Sequence, residues 1–112
     1  MTTQTESQAK LELIVDRIVE GFDPHSVWLV GYRGYSQPDD FYHVDLLVVL
    51  DEACLARYEH PSTALRKCSR GTQMDASFFV STPQKFAERR HSVNTMDHLA
   101  GSRGKVLYER GR

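Results

Sequence analysis

The chain is 112 residues long, 40% hydrophobic and 26% charged, with a formal net charge of -1. That length fits one domain spanning 1–112 with a modest core, and the near-neutral balance gives no whole-molecule field toward nucleic acid or an anionic membrane. No apolar run approaches the roughly 20 residues needed to span a bilayer. The start, MTTQTESQAK, has no apolar signal core. Cys54 and Cys68 suggest neither a disulfide framework nor a zinc ribbon, so a cytoplasmic protein is expected. Basic residues still gather locally, at Arg66–Arg70, Lys85–Arg90 and Arg103–Arg112.

Residues 1–8 read as a frayed lead. A helix from Gln8 to Phe22 follows, because Leu11, Ile14, Val15, Ile18 and Phe22 recur at helical spacing. Gly21 and the Asp23-Pro24 pair end it. Val27–Val30 is a short strand, and Val44–Leu50 is a nearly continuous apolar run suited to a central strand covered on both faces. Asp51-Glu52 opens a short helix or loop to Arg57. Pro61 starts a helix to Arg70 with Ala64, Leu65 and Cys68 inward, and Gly71 stops it. Met74–Ser81 is the third strand. Thr82-Pro83 starts a helix to His91 with Phe86 and Ala87 inward. A last helix, Val93–Ala100, and a strand, Lys105–Glu109, complete an α+β (α/β two-layer) arrangement in the order α-β-β-α-β-α-α-β.

The stretch Val27–Leu50, VWLVGYRGYSQPDDFYHVDLLVVL, holds the residues that suggest chemistry. Gly31 follows the first strand as a turn residue able to approach a phosphate closely. His43 and Asp45 stand two apart at the mouth of the second strand, so both point to one face. Asp75 opens the third strand. If strands two and three are neighbours, Asp45 and Asp75 share one side of the sheet, where carboxylates could hold magnesium.

On these residues the chain resembles the nucleotidyltransferase superfamily, most closely its minimal, single-domain branch. That family carries a Gly-Ser pair, ten residues, then Asp-x-Asp, and a third Asp on a later strand. Here Gly31-Tyr32, the ten residues Arg33–Tyr42, and His43-Val44-Asp45 keep the spacing, and Asp75 stands at the third carboxylate. The resemblance runs from about Leu11 to Glu109. It implies the nucleotidyltransferase fold, a mixed sheet of about four strands with flanking helices. It further implies Asp45 and Asp75 as catalytic residues, His43, Asp45 and Asp75 as the metal position, and Gly31 and Tyr32 as the nucleotide-binding pair, with magnesium and ATP as cofactors if the chain is active.

Two departures fall where the mechanism is least forgiving. Tyr32 replaces the family serine that meets the triphosphate, and His43 replaces the first metal-binding aspartate. Neutral imidazole is a poor ligand for magnesium, which prefers hard oxygen donors. The expectation is therefore a catalytically degenerate protein, acting as the antitoxin-like partner of a small helical HEPN-type protein. The alternatives are an active enzyme moving AMP from ATP to a protein or small-molecule hydroxyl, and an unrelated α+β binding module. A homo-oligomer is also left open. Plainer readings stand beside each residue: Gly31 as a turn, Asp75 as an ordinary strand opening, and His43 as a hydrogen-bonded surface residue. Sharper alternatives are a softer metal such as zinc or manganese on His43, Asp45 and Asp75, or a substitute carboxylate from Asp39 or Asp40. Tyr32, Tyr35, Phe41 and Tyr42 make the intervening loop aromatic, which suits a protein interface better than base stacking. His25, His60, His91 and His98 show no ligand spacing and read as surface residues.

Overall fold

A computed structural model describes residues 5–34, 41–93 and 95–111. Its elements are α1 (Glu6–Phe22), β1 (Ser26–Gly34), β2 (Phe41–Val49), α2 (Glu52–Leu55), α3 (Pro61–Arg66), a 3-10 turn (Lys67–Ser69), β3 (Asp75–Ser81), α4 (Pro83–Arg89), α5 (Met96–Ser102) and β4 (Lys105–Glu109). The strands form one four-stranded sheet in the order β3-β2-β1-β4. β1 is antiparallel to β2 and to β4, whereas β2 and β3 run parallel, so the sheet is mixed and the fold α+β.

Helix α1 begins earlier than the apolar stripe alone indicates. Thr5 caps it: its hydroxyl accepts from Gln8 N at 3.1 Å, and Gln8 Oε1 accepts from Thr5 N at 3.1 Å. This reciprocal box satisfies two orphan donors and orders residues expected to fray. The buried Ser7 then ties the first turn to the sheet, donating to Phe41 O and accepting from Phe41 N. Asp23, with φ 44, ends the helix in the left-handed region just before Pro24.

One face of the sheet packs on α1 and α3. Ile14, Ile18, Val27, Val44, Leu46, Val48, Leu50 and Leu65 are fully buried there, with Phe78 and Met74 beside them. Arg17 of α1 reaches the end of the α3 segment and donates to Cys68 O at 3.2 Å and Arg70 O at 2.7 Å, filling carbonyls that the helical turn leaves open.

The other face carries Trp28, Leu47, Phe79, Val49 and Ser81. Phe86 of α4 packs on Trp28 with ring centroids 5.3 Å apart, and α5 packs on β1 and β2. Ala87, expected inward, is exposed, because Phe86 alone on this short helix meets the sheet. The last helix starts at Met96 rather than Val93. Thr95 is its cap, accepting from His98 N at 3.0 Å, and Val93 is 72% exposed. Among the described residues no helix is long and apolar enough to cross a membrane.

Candidate functional site

β1 continues through Gly31 to Gly34, so Gly31 lies inside a strand and not in a turn after it. The register explains what it does there. Leu29 pairs with Leu46, Gly31 with Asp45, Tyr32 with Val44 and Arg33 with His43, which leaves Val30 as an extra residue in β1. Without this bulge the alternation of side chains would place Tyr32 opposite His43. With it, position 31 faces Asp45, and Tyr32 turns to the α1 face. There Tyr32 meets Phe41 with ring centroids 5.8 Å apart. The nucleotide-binding pair read from the sequence, Gly31 and Tyr32, is thus divided between the two faces.

Gly31 leaves room for a carboxylate. A Cβ at this position would stand 3.0 Å from Asp45 Oδ2. The residue is needed here for closeness across the ladder rather than for an unusual backbone angle.

A second irregularity, between Arg33 and Gly34 on one strand and His43 and Phe41 on the other, puts Tyr42 outside the regular ladder. Phe41 consequently joins the core at 8% exposure, while Tyr42 is exposed. Of the aromatic loop expected as an interface, Phe41 and Tyr42 are strand residues. Tyr35, Asp39 and Asp40 lie outside the described residues.

The parallel pairing of β2 with β3 sets His43 beside Asp75 and Asp45 beside Ser77. His43, Asp45 and Asp75 therefore meet on the face opposite α1, away from the end covered by α4 and α5. His43 lies between the two carboxylates: Nε2 is 2.9 Å from Asp45 Oδ1, and Nδ1 is 2.8 Å from Asp75 Oδ2. Ser77 Oγ lies 3.5 Å from His43 Nε2. The imidazole side chain is only 14% exposed, whereas Asp45 is 33% and Asp75 80% exposed.

Ionised carboxylates only accept hydrogen bonds, and a neutral imidazole has one donor and one acceptor. A ring that bonds a carboxylate through each nitrogen is therefore an imidazolium. The hydrogen bond to Asp45, then that to Asp75, raises the His43 pKa above its ordinary 6.5, and burial opposes them only in part.

The residues do not fit a magnesium site. Magnesium needs oxygen ligands converging on one octahedral point. Here the two carboxylates bind opposite edges of one ring, and both ring nitrogens are engaged as donors, so neither can ligate. Among the described residues no group of three His, Cys, Asp or Glu is arranged to hold a metal ion. The same geometry bears on zinc or manganese at this place, because imidazole ligates through a nitrogen lone pair.

Of the remaining histidines, His98 is half-buried, and its Nδ1 lies 2.8 Å from Arg90 O, a contact that tethers α5 to the end of α4. A buried carboxylate escaped the sequence reading. Asp97, 5% exposed, accepts a short hydrogen bond from Ser81 Oγ at the end of β3. The only signal for it was an acidic residue two positions after Thr95 in the first turn of a helix, which is ordinarily a solvated position.

No protein-family model, no curated protein and no solved structure matches the chain.

Proposed function

We propose that this chain is a minimal nucleotidyltransferase-like protein that has exchanged its metal for an internal cation and acts in the cytoplasm by binding, as the antitoxin-like half of a pair with a small helical HEPN-type protein. The observation that carries the loss of catalysis is the imidazole of His43 hydrogen-bonded to Asp45 on one side and Asp75 on the other. Nucleotidyl transfer needs its carboxylates to present metal ions to a triphosphate and neutralise charge as it develops. In this chain the same two carboxylates are bridged, and one of their two charges is balanced, by a side chain of their own sheet. The fixed imidazolium supplies a single charge with no open coordination position. No transfer step is assigned to it.

The frame of the resemblance is supported by the strand order and by the register. An antiparallel β1–β2 pair followed by a parallel β2–β3 pair sets Asp45 and Asp75 on one face, as the motif requires. The turn of Tyr32 to the other face removes its hydroxyl from the position that a triphosphate-binding serine would hold. The binding role rests on the resemblance, together with exposed Arg33 and Tyr42 at the rim of the site, residue types that anchor protein interfaces.

The test is incubation with labelled ATP and magnesium, alone and with a helical protein encoded beside the chain. Co-purification of the two proteins without transfer of label is the expected result. Robust label transfer abolished by Asp45→Ala would establish an active enzyme that moves AMP to a hydroxyl and would overturn the proposal.

A further inference from the structure

On the α1 face, opposite His43, a cleft of about 280 Å³ opens between the first turns of α1, the end of β1 and the start of β4. Leu11, Leu29, Phe41 and Leu107 give it apolar walls, and Tyr32, 61% exposed, stands at its rim. Its volume is near the lower end of the roughly 300–1,000 Å³ typical of small-molecule sites, which combine apolar walls with a few placed polar groups.

The placed groups here are two cations. Arg103, in the turn between α5 and β4, and Lys105, the first residue of β4, border the cleft. Neither makes an ion pair among the described residues. Their backbone is fixed by Gly104, where a Cβ would come within 2.7 Å of the Ala100 backbone, and whose N–H donates to Leu99 O and Ala100 O. Two cations without an ion pair among the described residues, flanking a glycine that a Cβ would not replace, beside an apolar cleft with an exposed ring at its edge, define the chemistry of a complementary ligand.

We propose that this cleft is a binding site for a small organic anion: an aromatic body of one or two rings, seated on Leu29 and Leu107 beside Tyr32, with a carboxylate or phosphate head between Arg103 and Lys105. Strand addition along β4 is a poorer occupant, because β4 bulges at Leu107 and begins with a lysine, devices that protect a sheet edge from pairing. The site lies on the opposite face from His43, Asp45 and Asp75 and does not depend on the function assigned to them.

The test is calorimetric titration of the whole chain with 2-naphthoate, 2-naphthyl phosphate and the neutral 2-naphthalenemethanol. The expected result is saturable one-to-one binding of the two anions, at least about tenfold tighter than the alcohol, as one charge-assisted hydrogen bond implies. Tighter binding of the phosphate than of the naphthoate identifies a phosphate head, and the reverse identifies a carboxylate. The double substitution Arg103→Gln with Lys105→Gln should weaken both by about tenfold or more with an unchanged melting curve. Tyr32→Ala, at an exposed position, gives a second variant that tests the ring. Amide shifts should move at Gly31, Tyr32, Arg103 and Lys105 and stay fixed at Asp75 and Ser77. Equal affinity for anion and alcohol, no loss in the double variant, or shifts centred on Asp75 would each overturn the proposal.

Discussion

Asp45 lies directly over Gly31 on the neighbouring strand, so close that a Cβ at position 31 would stand 3.0 Å from Asp45 Oδ2. The absence of a side chain at one residue thus lets the carboxylate of another lie in the sheet face and reach His43. Gly31→Val should therefore cost about 1–3 kcal/mol, the range for overpacking. Most of that cost should vanish when Asp45→Ala is added, because the clashing atoms are gone. A double-mutant cycle by denaturant melts measures the coupling, and equal costs in the two backgrounds would show that the carboxylate does not set the constraint.

The histidine bridge makes stability depend on pH in a defined direction. The His43 pKa is raised in the folded chain, first by the hydrogen bond to Asp45 and then by that to Asp75. Its contribution is fully present below the unfolded value of about 6.5 and is lost as pH rises through the higher folded value. Stability should fall across that window above pH 6.5, and His43→Gln should flatten the slope. Ring-proton shifts followed by NMR would locate the folded pKa; a value at or below 6.5 would show that the bridge does not hold the ring protonated.

Restoring the carboxylate gives a complementary result. In His43→Asp, three carboxylates crowd one face, and like charges at this distance destabilise the fold. Added magnesium should raise the melting temperature of that variant and leave the parent unchanged. Adding Tyr32→Ser should give no further affinity for a triphosphate, because position 32 faces α1. A gain in triphosphate affinity specific to the serine would contradict the bulge at Val30.

Asp97 should matter to stability more than its place in a short helix suggests. It is buried, and its carboxylate takes the hydroxyl of Ser81. Asp97→Ala leaves that hydroxyl only its long contact with Thr82 O, at 3.5 Å, under α5, a loss worth about 1 kcal/mol or more. Hydrogen exchange at Ala100 and Leu99 should rise in parallel, since α5 loses its attachment to β3.

The two thiols should behave differently. Cys68 is buried beside α1, and burial pushes its pKa above the usual thiol value; Cys54 is raised by the same cause but is only half-buried. Since the thiolate is the reactive form, a thiol reagent should modify Cys54 slowly and Cys68 only on unfolding. Rapid native labelling of Cys68 would argue against the packing of the α3 segment on α1.

The sequence by itself determined what depends on periods within one segment. The helical stripe Leu11–Ile18 marked α1, the apolar run Val44–Leu50 marked the central strand, and the two-residue spacing of His43 and Asp45 put both on one face. Those are local facts of chain geometry, legible because a side chain's direction follows from its position along one element. The capping box between Thr5 and Gln8 is equally local, yet apolar periodicity does not mark it, and residues 1–8 read as a frayed lead although the helix starts at Glu6.

Tertiary structure decided what depends on register between segments. Whether Asp75 would reach His43 was settled by the parallel pairing of β2 with β3, a contact across 32 residues. Whether Tyr32 or Gly31 would face Asp45 was settled by one extra residue at Val30, and a one-residue shift exchanges the faces of a strand. Asp97 was likewise drawn inward by α5 docking over Ser81. A single bulge and a single strand pairing thus turn Tyr32 away from the carboxylates, keep Gly31 over Asp45 and put a histidine between Asp45 and Asp75, and neither leaves a periodic trace in the sequence.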